Sequence, residues 1–292
     1  MLSSSTSLNN SLRNNYDVVA INQVKLRNIS IAYEELGDAS EETLIFIHGS
    51  ATDYRTWGAQ MEFFAEKHHV FAYSRRSHYP NPYVPYPTDY SIKMEAEDLA
   101  SLIPNLTPKP AHLVGWSYGA FIAAMVAKEQ SHLVRSLVLM EPPIMSFLTA
   151  NPVTMPLYID YQKNAKGVKE ALDAGNSQEA VQRFIDAVSG TGAFERTPPT
   201  LQKRMLQNAN TLYELTSAER DPFNCEDAAA IETPTLLLSG EKSPVFLQEI
   251  IKELANCLPK KEYLTIMKAS HPMHSQNAQE YNRVVLDFLI KH

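Results

Sequence analysis

Gly115-Trp116-Ser117-Tyr118-Gly119 brackets a serine hydroxyl between two glycines, and the residues on either side decide whether the bracket means chemistry. Before it runs Ala111–Trp116, apolar and of strand length, and Ser117–Gln130 then reads as a helix, so Ser117 stands at a strand-to-helix corner. Such a corner strains its central residue and pushes the side chain clear of the sheet, while side chains in place of the glycines would collide with neighbouring backbone. The helix N-terminus adds positive dipole where negative charge would develop. With only 10 glycines in the chain, a chance pair around a serine at this junction is not expected. The bland alternative is a strand-to-helix turn without chemistry. A serine hydroxyl is a weak nucleophile at its own pKa, so a base must take its proton and donors must hold the resulting oxyanion.

The elements around this corner alternate. Asp17–Gly37 is β-branched and alternating, which reads as two antiparallel strands. Thr43–His48 is a short apolar run, the mark of a parallel strand buried on both faces. Thr56–Lys67 reads as a helix, His68–Ser74 as a strand, Ser91–Ile103 as a helix capped by Ser91, and Val134–Met140 as a strand. Thr235–Ser239, Pro244–Leu258, Tyr263–Met267 and Gln276–Ile290 continue as strand, helix, strand and helix. This predicts an α/β fold with a mostly parallel, doubly wound sheet in one domain of 292 residues. Between Pro142 and Glu232 the alternation stops for about ninety residues, far more than a connection needs. Helical spacing recurs there in Ala180–Val188 and Leu201–Leu215, predicting a helical insertion over the sheet. The domains expected are a loose tail at 1–16, a core at 17–141 and 233–292, and the insertion at 142–232.

Composition excludes several classes. A formal net charge of -7 with scattered Lys and Arg lacks the electrostatic footprint of a nucleic-acid binder. The longest apolar runs, such as Leu44–Ile47 and Leu236–Leu238, are far short of a membrane span. Cys225 and Cys257 are too few for a disulfide framework and lack zinc spacing, so a reducing compartment is the simpler reading. Met1–Tyr16 has no secretory-signal pattern, and the location expected is cytoplasmic. His68-His69 on a strand face opposite sides, which argues against a metal site.

With these motifs in order, the chain resembles the α/β-hydrolase fold superfamily from about Asp17 to Leu289. His48-Gly49-Ser50 after a buried strand resembles the superfamily's oxyanion segment, and Gly115–Gly119 its nucleophile elbow. The resemblance implies backbone N–H groups of Ser50 and Tyr118 as oxyanion donors. Its chain order of nucleophile, acid and base implies a late histidine, and His271 after Met267–Ser270 fits, with His274 as competitor. For the acid, the position where Asp is usual holds Ser243, which has no charge to offset an imidazolium. Some members carry the acid at the end of the preceding core strand instead, and Leu137–Pro143 resembles that arrangement with Glu141 at the strand's carboxyl end. Glu241 and Asp221 are weaker candidates.

Other features offer less. Arg75 and Arg76 stand where the superfamily has an Asp-x-Arg-Gly turn and read as structural. Tyr79, Tyr83, Tyr86 and Tyr90, interleaved with prolines, either border the pocket or stiffen a surface loop. Trp116, Met145, Phe147, Met155, Leu157 and Tyr158 are candidate pocket liners. The resemblance implies a cofactor-independent, metal-free serine hydrolase acting on a small or medium apolar ester, lactone or thioester. Carbon–carbon bond hydrolysis and perhydrolysis use the same groups. A non-catalytic, receptor-like relative is the alternative of a different class, raised by Ser243. The oligomeric state is not legible.

Overall fold

The computed structural model describes residues 21–292 apart from 28, 86, 88, 89 and 218–222. Eight strands form one sheet: β1 (Asn22–Leu26), β2 (Ile29–Leu36), β3 (Thr43–Ile47), β4 (His69–Tyr73), β5 (Ala111–Trp116), β6 (Val134–Met140), β7 (Thr235–Gly240) and β8 (Lys261–Ile266). Their order is β1-β2-β4-β3-β5-β6-β7-β8. The first hairpin pairs antiparallel with itself and with β4, and every other pairing is parallel. The expected α/β class and largely parallel sheet are therefore present, although Val18 and Val19 lie outside the described residues.

Alternating side chains make this sheet two-faced. Ile45, Ile47, Leu113, Leu137, Leu139 and Leu237 pack on one face against α2 (Ile92–Leu106), α3 (Tyr118–Glu129) and α11 (Val245–Cys257). Leu44, Phe46, Val114, Val138, Met140, Leu236 and Leu238 face the other way, against α1 (Gly58–Phe64) and α13 (Ala278–Leu289). Strands buried on both faces are apolar at most positions, which is why β3 and β5 read as nearly continuous runs, and the buried His112 of β5 is met by the Ser136 hydroxyl at 2.7 Å.

Between β6 and β7 the described residues hold only helices: α4 (Ser146–Thr149), α5 (Met155–Asp173), α6 (Ser177–Ser189), α7 (Ala193–Arg196), α8 (Pro199–Gln207), α9 (Glu214–Ser217) and α10 (Cys225–Ala229). This segment has its own apolar cluster, with Val168, Leu172, Val181, Phe184, Ile185, Phe194 and Leu212 buried together and Ala51 of the core seated among them. The predicted helix over Leu201–Leu215 is broken into α8, a 3-10 turn at Ala209–Tyr213 and α9. The longest helix, α5, was not legible because its mixed polar and apolar residues give a weak stripe. The closing segment is two helices, α12 (Met273–Gln276) and α13.

Two sequence expectations need correction here. Cys225, at the start of α10, and Cys257, at the end of α11, are joined in a disulfide with Cα atoms 5.2 Å apart. Two cysteines cannot build a framework, but tertiary folding brings residues 32 apart into bonding distance. Met145 and Phe147 are buried in the apolar cluster beside α3 and do not line the cavity that contains Ser117. The turn after Pro142-Pro143 directs them into the core.

The elbow glycines show why the corner tolerates no side chain. A Cβ on Gly119 would lie 2.3 Å from the Ile47 carbonyl oxygen, and one on Gly115 2.5 Å from the Ala120 Cα. Helix α3 thus starts in backbone contact with β3. Gly119→Ala is expected to destabilise the fold by about 1–3 kcal/mol through overpacking, whereas Gly58→Ala, with nothing within 4 Å of the added methyl, is expected to be neutral or stabilising. Thermal unfolding of the two variants beside the wild type checks this.

Candidate active site

Ser117 has φ 55° and ψ -122°, a conformation that side chains rarely adopt. It is held from both directions, its N–H donating to the Met140 carbonyl at 2.8 Å and its own carbonyl accepting from Ala120 N–H at 2.9 Å. Strain of this kind persists only where the surroundings over-determine it. Here β5, β6 and the first turn of α3 do so.

Glu141 lies at the end of β6, also at positive φ (45°), and is fully buried. One carboxylate oxygen accepts from the Ser239 hydroxyl at 2.8 Å and the Gly240 N–H at 2.9 Å, both at the end of β7. The other lies 2.7 Å from His271 Nδ1. A carboxylate only accepts, so Nδ1 carries the proton and Nε2 is left as the acceptor. A buried carboxylate without such partners would be strongly destabilising, and these three contacts are what make the position tenable.

The loop bearing His271 is fastened at several points. Its carbonyl accepts from Trp116 Nε1 at 3.0 Å, Ala269 accepts from Lys242 N–H at 2.8 Å, and Ser270 N–H donates to Gln276 at 2.6 Å. Gly240 allows the close approach: a Cβ there would meet the Ala269 and Ser270 carbonyl oxygens at 2.7 Å. His274, the competing base, is buried between Trp57 and Trp116 and lies outside the cavity wall. Glu241 bonds the Lys268 N–H at 2.7 Å rather than a histidine, and Asp221 lies outside the described residues. Ser243 is buried next to Gly240, its hydroxyl without a partner.

Ser117 and His271 line one cavity of about 310 Å³, together with Gly49, Ser50 and Trp116 of the core. Phe184, Ile185 and Val188 of α6, with Leu201 and Met205 of α8, form its apolar wall. Sequence periodicity showed these helices but not which of their faces would meet the serine. Tyr118 begins α3, and the N–H groups of a helix's first turn point out of its end towards any developing negative charge. Tyr79, Tyr83 and Tyr90 do not line the cavity, and Tyr86 lies outside the described residues. Nor do Met155, Leu157 and Tyr158. Among the described residues no three His, Cys, Asp or Glu side chains cluster as a metal site would require. Chemically, a serine at a strained corner that shares a cavity wall with an imidazole backed by a carboxylate is the set of groups needed to deprotonate a hydroxyl as it attacks an electrophilic carbon.

The sequence profile of the Alpha/beta hydrolase family matches residues 44–284. The chain belongs to that family. It is a hydrolase of the α/β-hydrolase fold. It is 26% identical over 279 residues to a non-heme chloroperoxidase of Burkholderia pyrrocinia, covering 90% of this chain and 96% of the relative. An sn-1-specific diacylglycerol lipase of Mus musculus, ABHD11, is 24% identical over 282 residues, covering 90% and 86%. Among solved structures, the carboxylesterase CesB (YbfK) of Bacillus subtilis superposes with a TM-score of 0.75 at 18% identity, covering 94% of this chain and 92% of that one. At that identity the likeness concerns the fold. No described helix is long and apolar enough to cross a membrane.

His274 gives the site a pH signature. Burial first, and then the neighbouring His271, push its pKa down to about 3. Its folded pKa is below the unfolded one, so the stability it contributes is complete above about pH 6.5 and is lost as pH falls from there towards 3. Urea unfolding at pH 7 and pH 5 is expected to show His274→Phe losing ~2 kcal/mol less stability than wild type between the two.

Proposed function

We propose that the protein is a serine hydrolase that cleaves a small or medium, fairly apolar carboxylic ester, lactone or thioester through an acyl-enzyme on Ser117. The observation that carries this reading is the run of contacts from Gly240 and Ser239 through Glu141 to His271, ending at a cavity wall shared with Ser117. In the proposed reaction His271 Nε2 takes the Ser117 proton as the hydroxyl attacks the carbonyl carbon. Glu141 keeps the imidazole in the required tautomer and offsets its positive charge. The N–H groups of Ser50 and Tyr118 receive the oxyanion. The protonated imidazole then gives its proton to the leaving alcohol or thiol, and water, activated by the same imidazole, releases the acid.

The cavity supports the substrate class. At about 310 Å³ it sits at the small end of ligand pockets, and its wall is mainly apolar. Among the described residues that line it, Arg196 is the one Lys, Arg, Asp or Glu. Uncharged or anionic acyl groups therefore suit it better than cationic ones. The case for a non-catalytic receptor rested on Ser243, and with Glu141 2.7 Å from His271 that reason falls away. We also keep the helical insertion at 142–232 as a cap over the serine, because α6 and α8 supply much of the cavity wall.

A second reading concerns the acyl acceptor. The similarity extends over 96% of a protein named a chloroperoxidase. Hydrogen peroxide attacking the acyl-enzyme in place of water would give a peracid and free Ser117, and a peracid is an oxidant strong enough for halide. Peracid formation from an ester or carboxylic acid with added peroxide distinguishes this branch.

A fluorophosphonate probe is expected to label wild type at Ser117 and to leave Ser117→Ala unlabelled, with p-nitrophenyl butyrate hydrolysis lost in the same variant. Failure of folded wild type to label sinks the acyl-enzyme route. Glu141→Gln is expected to fold and to lower kcat by ~10²–10⁴, since the amide both weakens the charge and can turn the imidazole to the wrong tautomer. Initial rates across short acyl chains from C2 to C8 measure both the loss and the pocket depth.

A further inference from the structure

Nine arginines lie among the described residues, and seven of them pair with a carboxylate. The two that do not, Arg196 and Arg204, both stand on the helical segment between β6 and β7, at the end of α7 and within α8. Arg196 lines the cavity of Ser117 and His271. Arg204 lines a smaller neighbouring cavity of about 130 Å³, which shares Trp116, Leu201, Met205 and Pro272 with the first. In a chain with 33 acidic against 26 basic residues, arginines without a carboxylate are the exception, and here they gather at the cavities.

Backbone holds the Arg196 guanidinium in place. Its Nη1 donates to the Thr191 carbonyl at 3.0 Å, and a Cβ on Gly192 would lie 2.9 Å from the same nitrogen. Gly190 and Gly192 both have positive φ, 98° and 72°, so the loop from α6 to α7 turns where other residues would be strained. Its shape is fixed by the Ala193 N–H on the Gly190 carbonyl at 3.0 Å and by the Phe194 N–H on Asp186 at 2.9 Å. A carbonyl is neutral, so the Thr191 contact orients the cation without offsetting its charge. Nε and Nη2 form the edge that a carboxylate takes with two parallel hydrogen bonds, and they meet no acceptor among the described residues.

We propose that the substrate of the Ser117 site is anionic: a carboxylate, set apart from the scissile carbonyl by a short apolar stretch, binds the Arg196 guanidinium, as in a half-ester of a dicarboxylic acid. The proposal rests on the acyl-enzyme reading above and names its substrate class. The apolar wall from α6 and α8 covers the methylenes between the two ends, and the cation decides which end lies at Ser117. Arg196 takes no part in the bond changes. Its contact is the same in the bound substrate and in the transition state, so its loss is read in KM rather than kcat. The side chain is exposed at the cavity edge, so water screens the pair and keeps its effect moderate.

The test uses full-length protein at neutral pH and low salt, and compares the monomethyl with the dimethyl esters of succinic, glutaric and adipic acids by released methanol. Each pair differs by one negative charge at nearly constant size. For at least one diacid, wild type is expected to show a KM for the monoester ~5–20-fold below that for the diester, a gap that narrows as salt is added. Arg196→Met, which keeps the length and drops the charge, is expected to erase the gap while diester kcat/KM stays within about threefold of wild type. Arg196→Glu is expected to reverse the preference, and Arg204→Met to leave it in place. Wild type without a monoester advantage, an advantage that survives Arg196→Met, or equal losses on both esters in that variant overturn the assignment, while diester turnover and Ser117 labelling leave the acyl-enzyme reading standing. Wild type that neither labels nor turns over overturns both.

Discussion

A carboxylate with no exposure to water, at the end of β6, is the constraint on which the site depends. Glu141 can stay buried because donors reach it from the next strand, through Ser239 and Gly240, and from the loop after β8, through His271. Each of those groups is thereby fixed relative to the others, since moving any of them would leave a buried charge short of a partner. Three strand ends that share only parallel pairing elsewhere are locked together at their carboxyl ends. Open parallel sheets meet ligands at that edge.

Ser117, the proposed nucleophile, is fixed by different means. Ser117 is held by backbone alone, in a strained conformation between β5 and α3, and the elbow glycines let α3 press against the β3 carbonyls. The two devices meet through Trp116, which precedes the serine and whose indole N–H bonds the His271 carbonyl. Position of the hydroxyl and position of the imidazole are therefore not independent. In the proposed reaction this preorganisation reduces the reorganisation needed as charge develops.

The helical segment between β6 and β7 adds to the site what the sheet and its flanking helices lack. It supplies an apolar wall from α6 and α8, and its Glu214 accepts from the buried Arg75 guanidinium, in a charge cluster with Glu95 that touches the core through the Arg75 N–H on His48 Nε2. Its far end returns to the core close to a covalent tie, Cys225 on α10 to Cys257 on α11. Arg75, read from the sequence as structural, is so in the sense that it organises this cluster, and Arg76 pairs with Asp98 at 2.6 Å.

Local chemistry was legible because it is written locally. The apolar runs of β3 to β7, the glycine-bracketed Ser117, and Glu141 ahead of two prolines each depend on neighbours in sequence, and alternation of strand and helix was enough to predict a mostly parallel, doubly wound sheet, though not its strand order. The family's chain order placed the base on this loop, and preferring His271 to His274 rested on the resemblance of Met267–His271 to the family's turn. Only the tertiary structure decided that His271 meets Glu141 while His274 is sealed among tryptophans, that Ser239 and Gly240 hold the acid, and that Phe184 and Met205 rather than Met145 and Phe147 face the serine. It likewise joined Cys225 to Cys257 and Glu214 to Arg75 across 32 and 139 residues. Periodicity marks a helix face as apolar without saying which apolar surface it will cover, and hydrogen-bond partners far apart in the chain are chosen by packing of whole elements.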